Sequence, residues 1–342
     1  MKRTTLVLAA ILAASASLAQ AQTFRAAMAD LTIDDPDGGR DLEGFVWYPT
    51  QDAGPVTPAF DSKVWVGNPV VMDGAPAAGA FPLVVVSHGM FGNAFNQAWF
   101  AAALAERGHV VAAISHPGTS TWARDPDDRR ELWERPRDVS RVIDVALAAG
   151  LPVPVDAERV YMAGHSLGAF TGLALAGGRY DAARFDAFCE ASPGEMVCDI
   201  LKGWQIAQTP EDRVAMEADL ADPRIKAFAL FDLGGTQSFS EASLAQVDRP
   251  MLVFGAPITN SGLDLDIESR ALVKALPPEE VRYLEPETLS HFDFLGQCKD
   301  GGYELLAREE PGDERICAGG GAERAAKHRM VIGEVLAFFG QS

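Results

Sequence analysis

The sequence predicts an α/β fold, a mostly parallel central sheet with helices on both faces. Two patterns predict it. Short, continuous apolar runs rich in Val, Ile and Phe recur along the chain and read as buried strands. Between them lie longer segments with helical spacing, and strands alternating with helices build parallel βαβ units.

Taken in order, "FRAAMADLTI" and "GFVWYPT" near the start have no helix between them and are expected to be antiparallel edge strands. Residues 51–80 are rich in Pro, Gly and Ala and read as a long surface loop. The buried strands follow: "PLVVVSH" (82–88), "HVVAAIS" (109–115), "RVYMAGH" (159–165), "IKAFALF" (225–231), "RPMLVFG" (249–255) and "VRYLE" (281–285). Helices are expected over 98–108, 137–150, 167–178 and 268–276. The first three end at Gly, a residue that stops helices because it adopts positive φ without strain. "AAKHRMVIGEVLAFF" (325–339) reads as a closing amphipathic helix. Residues 179–224 are too long for a connection and hold Trp204, two cysteines and the helical stretch "EDRVAMEADLA". They are expected to form a small cap insertion over the carboxyl edge of the sheet. No internal repeat is visible.

The first residues, "MKRTTLVLAAILAASASLAQAQTF", combine basic Lys2 and Arg3, an apolar stretch from Leu6 to Leu18 and a small-x-small site at Ala19–Ala21. That pattern predicts a signal peptide over 1–21, cut after Ala21, with residues 22–342 forming one domain. No later stretch is long and apolar enough to span a bilayer, so no stable membrane insertion is expected. Losing Lys2 and Arg3 takes the net charge from −19 to −21. The basic footprint of a nucleic-acid binder is absent. Four cysteines in an exported chain suggest disulfides, and Cys189–Cys198 with Cys298–Cys317 is the simplest of three pairings. Each closure is worth about 2–3 kcal/mol. The spacings do not suit a zinc site. Export would end in the periplasm or outside the cell.

Residues 164–168 read GHSLG. The pattern G-x-S-x-G is short enough to arise by chance, but here it lies where a buried strand meets a helix. There the glycines permit a tight turn that lifts the Ser166 hydroxyl above the sheet edge, over the positive end of a helix dipole. A serine needs a base to take its proton. Only His291 and His328 follow it. His328, between Lys327 and Arg329 in the closing helix, reads as a surface residue. His291, after the last strand in "LEPETLSHFDFLG", is the expected base. The acid that holds the imidazole is Asp232, at the end of a strand in "AFALFDLGG", or Asp264, in the loop after the next strand. Asp266 reads as an N-cap of the following helix. Oxyanion donors are expected at the backbone N–H groups of Leu167 and Met90, with Gly89 permitting the turn and His88 ordering the loop. His116 and Trp122 either line the pocket or pack, and His165 is assigned no chemistry.

With these residues placed, the chain resembles the α/β-hydrolases, and more narrowly the platelet-activating factor acetylhydrolase group and bacterial proteins labelled "predicted dienelactone hydrolases". The resemblance covers roughly residues 40–340 and rests on "VVSHGMFGN", "GHVVAAISHPG", "RVYMAGHSLGAFTG", "RIKAFALFDLGG" and "SHFDFLGQC". It implies an α/β-hydrolase fold and ester hydrolysis through an acyl-enzyme by a Ser-His-Asp triad, without metal or cofactor. The acetylhydrolases carry the acid after the strand matching 225–231, which implies Asp232. More typical members carry it one strand later, which keeps Asp264 in play. Dienelactone hydrolases use cysteine where this chain has Ser166. The expected partner is a small-molecule or lipid-like ester. The competing readings are an amidase or peptidase with the same triad and a non-catalytic binding protein on this scaffold.

Overall fold

The structure is a computed structural model that describes residues 23–36 and 38–342. The predicted leader, residues 1–21, lies outside them. The chain opens with four strands, β1 (Arg25–Ile33), β2 (Leu42–Thr50), β3 (Thr57–Ala59) and β4 (Asn68–Met72). The alternating part follows as β5 (Phe81–Ser87), α1 (Ala98–Ala105), β6 (Val110–Ser115), α2 (Pro126–Arg130), α3 (Glu134–Leu147), β7 (Val155–His165) and α4 (Leu167–Leu175). Three helices come next, α5 (Ala182–Ala191), α6 (Met196–Gly203) and α7 (Pro210–Met216). The chain closes through β8 (Ile225–Phe231), α8 (Glu241–Leu244), β9 (Met251–Phe254), α9 (Ser269–Ala275), β10 (Val281–Leu284), α10 (Gly302–Glu309) and α11 (Ala322–Phe339).

The strands lie side by side in the order β10-β9-β8-β7-β5-β6-β2-β1-β4-β3. From β10 to β6 every pairing is parallel, while β2 runs antiparallel to both β6 and β1. The sheet is therefore the mostly parallel one that the buried runs predict. Both faces are covered: Leu83 and Val85 enter one hydrophobic core and Val84 and Val86 the other. Burial on both faces is why these strands are continuous apolar runs, each large side chain contributing about 1.5–3 kcal/mol.

Three expectations need correction. Residues 51–80 are not all loop, because β4 pairs with β1 and β3 pairs with β4. Val70 and Val71 are both buried there, but the run is too short to stand out from its Pro and Gly. His328 is not on the surface. It is 6% exposed and stacks on Trp99 with ring centroids 3.6 Å apart. Asp266 does not cap the next helix: Glu268 holds that position, and the Asp266 N–H donates to the Asp264 carboxylate at 2.8 Å. Both disulfides form as the local pairing expects, Cys189–Cys198 and Cys298–Cys317.

Candidate active site

The parallel strands deliver their following residues to one edge, the carboxyl edge, where open α/β sheets bind ligands. Ser166 follows β7 directly and Asp232 follows β8 directly. Each extends the ladder by one bond: the Ser166 N–H donates to Phe231 O at 2.9 Å, and the Asp232 N–H donates to Phe254 O at 2.9 Å. Both then turn sharply, with φ of 54° at Ser166 and 46° at Asp232. Non-glycine residues with positive φ are strained, and such strain collects at functional sites.

The glycines around Ser166 are a matter of space. A Cβ on Gly168 would sit 1.9 Å from Ser87 O, and one on Gly164 would sit 2.2 Å from Gly168 O. Strand, turn and helix pack backbone to backbone here. Leu167 is the first residue of α4, so its N–H has no acceptor within the helix. Across from it runs the turn after β5, closed by the Gly92 N–H donating to Gly89 O at 3.0 Å and tied to the next loop by the Phe91 N–H donating to Thr119 O at 2.8 Å. Met90 lies in that turn. A Cβ on Gly89 would stand 3.2 Å from Ser166 Cβ, which shows how closely the turn approaches the serine.

His291 opens a short 3-10 turn, His291–Phe294, after β10. Its Nδ1–H donates to Asp232 Oδ2 at 2.6 Å, and the other oxygen, Oδ1, accepts the Ala256 N–H at 3.0 Å. Asp232 is 1% and His291 6% exposed, so the pair is shielded from water on the Asp232 side. The turn is held from below. The Ser290 N–H and hydroxyl both bond Asp293 Oδ2, and His328 Nε2–H is shared between the carbonyls of Asp293 and Leu295 at 2.9 and 3.0 Å. His165 stacks obliquely on His291, centroids 4.5 Å apart, and its Nε2–H donates to the His291 carbonyl at 3.0 Å. Burial lowers the His165 pKa well below the usual range, so that ring is neutral.

Ser166, His291, Met90 and Leu167 all line one cavity of about 790 Å³. Asp264 does not meet His291. It is exposed and borders a separate hollow with Thr259 and Arg270. Of the two aromatic candidates, Trp122 is 72% exposed on the cavity rim, while His116 is fully buried elsewhere. His88 does order its loop: Nδ1–H donates to Gly89 O at 2.7 Å and Nε2 accepts the His116 N–H at 3.0 Å. Two buried charges, Arg135 and Asp138, escaped the sequence reading. Both fall in phase with the apolar stripe of α3, at Val139, Val142, Ile143 and Ala146, and that phase is the signal that marks them.

A family model described as the alpha/beta hydrolase family matches residues 83–304, well over half the chain. The chain belongs to that family. The match spans the strands and turns that carry Ser166, Asp232 and His291. No curated protein sequence matches the chain. Among solved structures, one titled "Ferulic acid esterase from Streptomyces cinnamoneus" is similar with a TM-score of 0.62 at 20% identity, over 95% of this chain and 92% of that one. At that identity the likeness establishes the fold. Among the described residues no helix is long and apolar enough to cross a membrane, and no cluster of His, Cys, Asp and Glu could hold a metal ion.

Proposed function

We propose that this hydrolase is an exported serine esterase in which Ser166 is the nucleophile, His291 the base and Asp232 the acid. The observation that carries the reading is the buried His291–Asp232 pair, whose histidine faces the same cavity as a serine on a strained strand-to-helix turn. Ser166 Oγ attacks the ester carbonyl carbon while His291 Nε2 takes its proton. The Nδ1–H bond to Asp232 fixes the tautomer and favours the imidazolium that forms. The N–H groups of Met90 and Leu167 receive the negative oxygen, worth about 3–4 kcal/mol per donor. His291 then protonates the departing alcohol. Water, activated by the same imidazole, hydrolyses the acyl-enzyme and frees Ser166.

The cavity walls favour an apolar acyl or alcohol part, since Phe60, Phe95, Trp122, Trp204 and Phe292 line them. In this reading residues 179–224 act as the cap, because α6 contributes Met196, Val197 and Ile200 to the lining. The two disulfides support export, as such bonds persist in oxidising compartments. That a structure sharing the fold is titled an esterase is in keeping with the same class. The test is turnover of p-nitrophenyl esters from acetyl to dodecanoyl by the mature protein and by Ser166→Ala, with fluorophosphonate labelling beside it. Turnover and labelling that both vanish in the variant support the assignment. Equal turnover by the variant removes it.

A further inference from the structure

Behind the turn that carries Met90 lies a second Ser-His-Asp set. The Ser87 hydroxyl donates to His116 Nε2 at 2.9 Å, and His116 Nδ1–H donates to Asp138 Oδ2 at 2.9 Å. The Arg40 guanidinium closes the far end with two bonds to Asp138, both 2.8 Å. All three members are sealed from solvent, none more than 1% exposed as a side chain or residue. Ser87 is also occupied, because Arg135 Nη2–H donates to its oxygen at 3.0 Å.

Arg135 is the hub. It is 1% exposed, and its remaining bonds go to His88 O at 2.6 Å, Thr119 Oγ1 at 2.6 Å and Thr171 Oγ1 at 3.0 Å. His88 stands two residues before Met90. Thr119 accepts the Phe91 N–H through its carbonyl, one residue after Met90. The Thr171 hydroxyl in turn donates a hydrogen bond to Leu167 O at 3.0 Å. One guanidinium thus grips both backbone segments that present the oxyanion donors. A buried cation is costly unless every donor finds a partner, and an apolar side chain of like volume would pack here at less cost. Its rigid planar fork spans partners that a lysine ammonium could not reach together.

We infer that Arg135 is a positioning residue that sets the spacing of the Met90 and Leu167 N–H groups, with Ser87, His116 and Asp138 anchoring it rather than forming a second reactive centre. This rests on the reading of Ser166 as nucleophile. Burial keeps His116 neutral and lowers Arg135 to about 9, so Arg135 remains a cation at neutral pH. Burial raises the Asp138 carboxyl, and the Arg40 and Arg135 guanidinium groups oppose that rise.

The experiment compares wild type, Arg135→Lys, Thr171→Val, Ser87→Ala and Ser166→Ala on one p-nitrophenyl ester. A trifluoromethyl ketone serves as oxyanion mimic and the product acid as ground-state ligand. Arg135→Lys is expected to lower kcat about 30- to 300-fold, with KM within about twofold. Its affinity for the ketone should fall in the same ratio while product-acid binding holds. Thr171→Val, which is close in shape but removes the hydroxyl that accepts from Arg135, should lower kcat about fivefold in the same pattern. Ser87→Ala should lose less than about tenfold. A folded Arg135→Lys and Thr171→Val that turn over and bind the ketone like wild type overturn the positioning role while leaving the esterase reading intact. Loss confined to KM overturns it too, as does a Ser87→Ala as inert as Ser166→Ala. If Ser166→Ala keeps full turnover, the esterase reading falls and takes the positioning role with it.

Discussion

Two sets of serine, histidine and aspartate take their serines from the carboxyl ends of neighbouring strands, β5 and β7, and they differ in almost everything except their side chains. In one, His291 bonds Asp232 at 2.6 Å, and serine and histidine face a cavity of about 790 Å³. In the other, His116 bonds Asp138 at 2.9 Å and Ser87 bonds His116 at 2.9 Å, with no path to solvent. Ser166 stands at positive φ on a helix N-terminus, while Ser87 ends a strand within the sheet. Ser87 even has the better-formed contacts of a resting triad. The lesson is that a hydrogen-bonded chain of three side chains does not make a nucleophile. What distinguishes the first set is access and backbone strain at the serine, with the proposed oxyanion donors Met90 and Leu167 lining the same cavity.

Asparagine in place of each aspartate sharpens the contrast. Asp232→Asn should lower kcat about 10⁴-fold, because the amide would present a donor to His291 and favour the wrong tautomer. Asp264→Asn should stay within about twofold, since that carboxylate only meets the Asp266 N–H on the surface. Steady-state kinetics on one ester checks both, and the reverse ranking would move the acid to Asp264. Asp138→Asn, in the sealed set, should act on stability. It leaves Arg40 and Arg135 without their anion, at a cost of about 3–5 kcal/mol readable by urea unfolding. A variant of normal stability but no turnover would make the two sets alike after all.

The smallest effect concerns pH. Burial lowers His328 from 6.5 to about 3, and its neighbour in effect, His109, to about 4. Both rings are neutral in the fold and take a proton more readily when unfolded. Their contribution is therefore present above pH 6.5 and lost as pH falls towards 3. Unfolding free energy should decline across that window, and His328→Gln should flatten the decline without abolishing it, because His109 remains and burial lowers His88, His116 and His165 as well. Parallel curves for variant and wild type would place the acid sensitivity elsewhere.

The strands and the places of Ser166 and His291 were legible because they depend on local pattern: apolar runs, a glycine-flanked turn, a histidine after the last strand. Asp232 and Asp264 could not be separated, since the choice rests on the paths of two loops. Arg135 and His328 were hidden by their neighbours. Arg137 beside the one and Lys327 and Arg329 beside the other suggest a solvated face, yet adjacent helical residues point some 100° apart and say little about each other. The better guide was spacing, because His328 falls in step with Arg324, Val331, Ile332 and Val335 on the buried side of α11.

The crosslinks divide the molecule unevenly. Cys189–Cys198 ties α5 to α6, and Cys298–Cys317 ties the segment holding α10; both segments supply cavity wall, and neither holds the sheet or the proposed catalytic side chains. The sheet and the proposed catalytic side chains thus stand without a crosslink, while two stretches of cavity wall depend on oxidised sulfur. If the proposed esterase reading holds, a chain made in a reducing compartment would keep its reactive centre and change its taste: thiol chemistry would act on which esters are accepted before it acted on whether any are cleaved.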